Sequence, residues 1–168
     1  MTAALDVRLS DRFTVQGALG AVLGGSLTLG DDRHEVRPGF LASVGAAYRA
    51  VDDRGAVPFV LLGASLSFAR ASTRADSDGA TASLSSSDAR VSVTIGKTFF
   101  ELLTPFVVAR AFGGPVMWSV RGRDVTGGDR YHYQLGGGLA AHVGAFDAYV
   151  EGVPLGEKRL SAGLGVSF

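Results

Sequence analysis

Apolar and polar positions alternate along most of this chain with a period of two. In the last stretch, Leu160, Ala162, Leu164, Val166 and Phe168 share one parity, and Ser161, Gly163, Gly165 and Ser167 the other. Successive side chains of a β-strand point to opposite faces, so 160–168 is predicted to be a strand with one wholly apolar face. The pattern recurs upstream. Ala3, Leu5, Val7 and Leu9 alternate with Ala4, Asp6, Arg8 and Ser10, and in 131–143 Tyr131, Tyr133, Leu135, Leu139, Ala141 and Val143 oppose Arg130, His132, Gln134, Gly136, Gly138, Ala140 and His142. Further strands are predicted over 13–29, 40–50, 57–71, 90–99, 106–112 and 146–153. Counting back from Phe168 gives eight strands, with 3–10 as a ninth.

The connections between them alternate in length. Asp11-Arg12, Asp52 to Gly55, Phe100 to Pro105 and Gly144-Ala145 are short and fall on one end. The charged stretch 31–38, the Ser/Asp/Thr-rich stretch 72–88 and the stretch 113–130 fall on the other, where Pro154 to Lys158 is the one short member. The second of these is expected to be a mobile, wet loop, and the third has room for a short hairpin after Gly113-Gly-Pro115. Short turns at one end and long loops at the other are the layout of a transmembrane barrel. The fold class expected is all-β, an antiparallel up-and-down transmembrane β-barrel of eight to ten strands with a narrow lumen of small and polar residues. The whole of 1–168 reads as a single domain, in which 1–12 is either an extra strand or a truncated N-terminal hairpin.

Composition sharpens this. A mean hydropathy of +0.24 is high for a soluble domain, yet no run approaches the ~18 apolar residues of a membrane helix. Charged residues make up 19%, the formal net charge is zero and cysteine is absent, so no basic excess points to nucleic acid and no thiolate metal site exists. One strand face is rich in Leu, Val, Phe and Tyr, and the other is mainly Gly, Ser, Thr and Ala. A water-facing surface normally carries many charged side chains, and here they concentrate in turns and loops. Phe13, Phe40, Phe68, Phe99, Tyr131, Tyr133, Phe146 and Phe168 stand near strand ends, where aromatic girdles form. No secretion signal is visible at the start of the chain, so an outer-membrane location implies that one has been removed or truncated.

Ser161, Gly163, Val166 and Phe168 match the assembly signal of the final strand in bacterial outer-membrane β-barrels, and the chain resembles the small OmpA/OmpX/OmpW-like barrels. That resemblance implies outer-membrane lipids and the barrel-assembly machinery as partners, the latter through the C-terminal strand. The role expected is structural, surface-binding or passage of a small solute. Charges on the small-residue face would then enter the lumen: Asp6, Arg8, Gln16, Arg49, Arg90, Arg110, Arg130, His132, Gln134, His142, Asp147 and Glu151. Unpaired charge away from water costs several kcal/mol, so an Arg/Glu/His network plugging the bore is expected. Barrel enzymes acting on lipid A or on peptides share this architecture, and His132 with Asp129, Arg130 and Ser119 is the candidate constellation for that alternative. No family motif accompanies it, and the chain is not expected to be an enzyme. A soluble lipocalin-like binder, with the faces exchanged, is the second alternative. No cofactor or metal site is expected: Gly96-Lys97-Thr98 lacks the upstream glycine of a phosphate loop, and His34-Glu35 is not followed by a second histidine at the zinc-protease spacing.

Overall fold

A computed structural model of the chain describes residues 1–120 and 122–167. It is all-β and antiparallel, with no helix among the described residues. The strands are β1 (Thr2–Arg8), β2 (Phe13–Val22), β3 (Gly25–Leu29), β4 (Asp32–Val36), β5 (Gly39–Val51), β6 (Phe59–Ala75) and β7 (Thr81–Gly96), followed by β8 (Leu103–Gly113), β9 (Val116–Val120), β10 (Arg123–Gly127), β11 (Tyr133–Val143), β12 (Phe146–Gly156) and β13 (Arg159–Val166). Nine of them form one meander, β1-β2-β5-β6-β7-β8-β11-β12-β13, which curls into a half-barrel. The hairpins β3–β4 and β9–β10 rise beyond it at one end.

The two faces divide as the alternation predicts. One convex row crosses the sheet through Phe13, Tyr48, Leu62, Val93, Ala109 and Leu135, each paired with the next. A concave row runs through Gln16, Gly45, Ser65, Arg90 and Phe112. Apolar residues on the convex face are open: Val44, Leu66 and Val91 keep 56%, 60% and 58% of their surface, and Leu164 keeps 91%. The meander therefore buries little of its apolar surface against itself.

Its packed core lies at the hairpin end. Ala82, Trp118 and Val120 cluster there with Leu27 and Leu84 against them. His34 and Thr73 are fully buried beside this cluster. β4 pairs with the end of β6, and β9 with the start of β7, so two hairpins brace one longer hairpin from either side.

Three expectations change here. The strand over 13–29 breaks at Gly24 and Gly25, whose φ of 152° and 153° lies where side-chain-bearing residues are strained. Residues 31–38 are not a loop, because 32–36 form β4. The stretch 72–88 is not a mobile loop either: β6 continues to Ala75, β7 begins at Thr81, and Arg74↔Thr81 is the last pair before a tight turn. Ser and Thr at alternate positions suit a strand whose outer face meets water, and β6 and β7 pair with each other here, with β4 and β9 on their outer sides. The stretch 113–130 does carry its hairpin, β9–β10.

At the opposite end the turns are tight. Leu102 N–H donates to the Phe99 carbonyl at 3.0 Å, and Phe100 and Glu101 between them have φ of 55° and 57°. Positive φ at both central residues matches the right-handed twist of a hairpin, although Asn-Gly is the usual pair. β1 pairs with β2 along its whole length, so residues 2–8 belong to the sheet. Among the described residues β1 and β13 each have one neighbour, and the sheet is open between them.

Candidate functional site

The concave face collects the polar side chains. Its best-built group spans β8 and β12: the Arg110 guanidinium donates to both Glu151 carboxylate oxygens at 2.7 and 2.6 Å. The two side chains keep 15% and 6% of their surface, so the pair is sheltered from water. Arg110 reaches Glu151 across β11, whose concave positions there are Gly136 and Gly138. A Cβ at either glycine would run into the β12 backbone, and at Gly138 also into the Phe106 ring. Removing side chains from β11 is what lets a cation on one neighbour meet an anion on the other. Arg159 of β13 adds a looser contact to Glu151 at 3.5 Å.

The remaining groups form separate pairs rather than one network. Arg90 bonds Asp88 at 3.3 Å and lies over the Phe112 ring at 5.2 Å. The buried Gln134 donates to Glu157 at 3.1 Å. His142 Nδ1 is 2.7 Å from Asp147, which also accepts from the Ser167 hydroxyl at 2.6 Å. The carboxylate thus sits between histidine and serine, and the serine hydroxyl is bonded to the carboxylate rather than to the imidazole. Arg8 pairs with Asp11 at 3.1 Å in water. Asp6, Gln16 and Arg49 make no side-chain hydrogen bond or ion pair that draws them to another described residue. Arg130 and His132 lie before the start of β11, at the hairpin end, where Arg130 covers the Tyr131 ring at 5.6 Å and the His132 carbonyl accepts from Phe112 N–H at 3.0 Å. Ser119 donates to Asp124 across its own hairpin at 2.6 Å, and that bond holds its hydroxyl on Asp124 rather than on His132.

Of the assembly-signal residues, Ser161 and Gly163 face the concave side and Val166 the convex side. The Tyr149 ring from β12 lies over Gly163 and occupies the space a side chain there would need. Phe168 lies outside the described residues.

Two groups were not foreseen. At the short-turn end, Asp53 accepts from the Lys97 ammonium and from Thr98 N–H, the latter at 2.7 Å. Those bonds hold its carboxyl below the ordinary carboxylate range, the Lys97 bond contributing most. Partners on two different turns leave no mark in local spacing. At the hairpin end, Trp118 Nε1 donates to Thr73 Oγ1 at 2.9 Å, and the His34 ring meets the indole edge-on at 4.7 Å. This clasp ties β4, β6 and β9 together. Above it, Glu35, Arg37, Arg74 and Asp76 line a polar groove of about 560 Å³. No protein-family model, curated protein or solved structure matches the chain.

Proposed function

We propose that the curled sheet is the wall of a bacterial outer-membrane β-barrel of eight to ten strands, plugged by its polar pairs, whose role is structural or surface-binding through the hairpin end. One observation carries the reading: the convex face is apolar and open, while the charged and small residues turn inward. Along β6 the convex positions run Val60, Leu62, Ala64, Leu66 and Phe68 before changing to Arg70, Ser72 and Arg74. With a rise of about 3.3 Å per residue and a tilt of about 40°, 60–68 makes a band roughly 23 Å tall, close to the ~25 Å apolar belt of such barrels.

Aromatic residues fall at both borders of the band. Phe40 and Phe68 pack at 5.8 Å, and Tyr131 and Tyr133 at 6.4 Å, toward the hairpins. Phe13, Tyr48, Phe99 and Phe146 mark the other border. Rings that are apolar at one end and polarisable or polar at the other favour that depth. A lipocalin-like binder needs the apolar face turned inward, and the exposure of Leu66 and Val91 argues against that exchange. In a closed wall Arg110–Glu151 and Arg90–Asp88 would project into the lumen, which favours a plug over passage of solute.

The test is extraction and refolding. The protein should partition with outer membranes and fold only in detergent or bilayers, with a heat-dependent shift on unheated gels. Recovery of folded protein from the soluble fraction without detergent would end this reading.

A further inference from the structure

Just beyond the apolar band the convex face changes from hydrocarbon to hydrogen-bond donors. On β6 the change is abrupt, with Phe68 followed on that face by Arg70 and Ser72. The register carries this boundary across neighbouring strands. Arg70 pairs with Phe40 of β5 on one side and with Ser85 of β7 on the other, and Ser72 pairs with Ser83. Arg37 N–H donates to the Ser72 carbonyl at 2.7 Å, which extends the β4–β6 ladder by one residue and sets Arg37 beside Ser72. Residues diagonal across a ladder stand about 7–8 Å apart. Two long arginine side chains span that distance, so the guanidiniums of Arg37 and Arg70 can converge on one ligand over Ser72.

This patch holds two guanidiniums and the hydroxyls of Ser72, Ser83 and Ser85, and no carboxylate. Glu35, the one carboxylate on this face of β4, lies further out opposite Arg74, and its contact with Arg37 is a loose, exposed one at 3.7 Å. Arg70 has no ion-pair or hydrogen-bond partner among the described residues. The opposite border is built differently: Arg12 and Arg54 both contact Asp52, at 3.5 and 3.2 Å, and Lys97 is bonded to Asp53. There the chain neutralises its own cations; at the hairpin border it leaves Arg70 uncovered.

A rise of about 3.3 Å per residue and a tilt of about 40° put Arg70 roughly 5 Å above Phe68, and the headgroup layer of a leaflet is about 5–7 Å deep. We propose that Arg37 and Arg70 hold the phosphate of a membrane lipid in the leaflet at the hairpin end, a site that rests on the membrane wall proposed above. Guanidiniums grip phosphate oxygens in bidentate pairs, and the serine hydroxyls add donors to a ligand made of acceptors. Continuity with the band selects a lipid over a free anion. The Phe40 and Phe68 rings, 5.8 Å apart, lie directly below Arg70 and lead to Leu66, so a lipid whose phosphate sits on Arg70 keeps its acyl chains on apolar surface.

The experiment uses the full chain folded in dodecylmaltoside micelles and titrated with the short-chain lipid dihexanoyl phosphatidic acid. Binding is followed through the side-chain Nε–H resonances of the arginines. Those of Arg37 and Arg70 should shift together and saturate at one lipid per chain, while that of Arg12 stays. Arg37→Gln/Arg70→Gln should weaken binding at least about tenfold; both side chains are exposed, so the variant should keep its heat-dependent gel shift. Arg12→Gln should bind as the parent does. Arg37 and Arg70 resonances that stay fixed while lipid binds, or equal affinity in parent and double variant, would overturn the proposal. A matching loss in Arg12→Gln would overturn it too, by reducing the attraction to net charge. Equally tight binding of dihexanoylglycerol would leave only an apolar contact, and displacement of the lipid by inorganic phosphate at equal concentration would make the ligand a free anion; either result overturns the lipid phosphate. All of these outcomes leave the membrane wall standing, whereas a chain that folds in water without detergent would remove the wall and the headgroup site with it.

Discussion

Glu151→Gln tests how much the concave pair holds. The substitution keeps the shape of the side chain and removes the charge facing Arg110, which stays 15% exposed. Two hydrogen bonds of 2.7 and 2.6 Å between opposite charges become at most one, from the guanidinium to an uncharged amide oxygen. Removing one member of a sheltered pair costs about 3–5 kcal/mol, and the remaining amide acceptor and Arg110's partial access to water place this case near the lower figure. About 3 kcal/mol is roughly a hundredfold in the unfolding equilibrium. Reversible urea unfolding in micelles or thin bilayers, followed by far-ultraviolet circular dichroism, measures it. The double variant Arg110→Met/Glu151→Met should recover a large part of the loss, because it leaves no uncompensated charge. A Glu151→Gln loss under about 0.5 kcal/mol, at the level of an exposed pair, would refute the argument, as would a double variant equal to the sum of its parts.

Other outcomes follow from the faces and turns. Leu66→Arg, mid-band on the convex side, should cost about 2–4 kcal/mol in a bilayer refolding assay, whereas Ser65→Arg on the concave side should cost little; equal costs would mean that lipid does not meet the convex face. Asp53 has its carboxyl held low by Lys97 and Thr98, so its contribution is present above the unfolded value of about 3.9 and disappears as pH falls through the folded value. Asp53→Asn should therefore lower the urea midpoint at pH 7 and much less at pH 2, and a loss independent of pH would contradict this. Glu101→Gly relieves a φ of 57° and should stabilise the protein by about 1 kcal/mol, with no gain counting against the strained-turn description.

The faces of the meander were legible because a period of two survives in nearly every strand: Leu62, Ala64 and Leu66 against Gly63, Ser65 and Ser67 need no tertiary information. The hairpin end was not legible. Residues 72–88 have the composition of a solvated loop, and their strand character comes from pairing with each other across a tight turn, braced by the distant β4 and β9. Misreading that stretch also hid Asp88, the partner of Arg90. The Arg110–Glu151 pair was half legible: both residues share a face, but the pairing depends on Gly136 and Gly138 clearing the strand between them. Asp53 and Lys97 sit on different turns, and only the closed register of β5, β6 and β7 brings them together.

The clasp of Trp118, Thr73 and His34 changes what a binding partner would encounter at the hairpin end. Three excursions that look independent along the sequence share one indole and one hydroxyl, so they cannot diversify independently. A residue exchanged in β9 alters the footing of β4, and an insertion in either shifts the tip of β6. Whatever contacts this end meets a composite epitope with a common hinge pin, and variation should gather in the polar rim of Glu35 and Arg74 while the pin stays fixed.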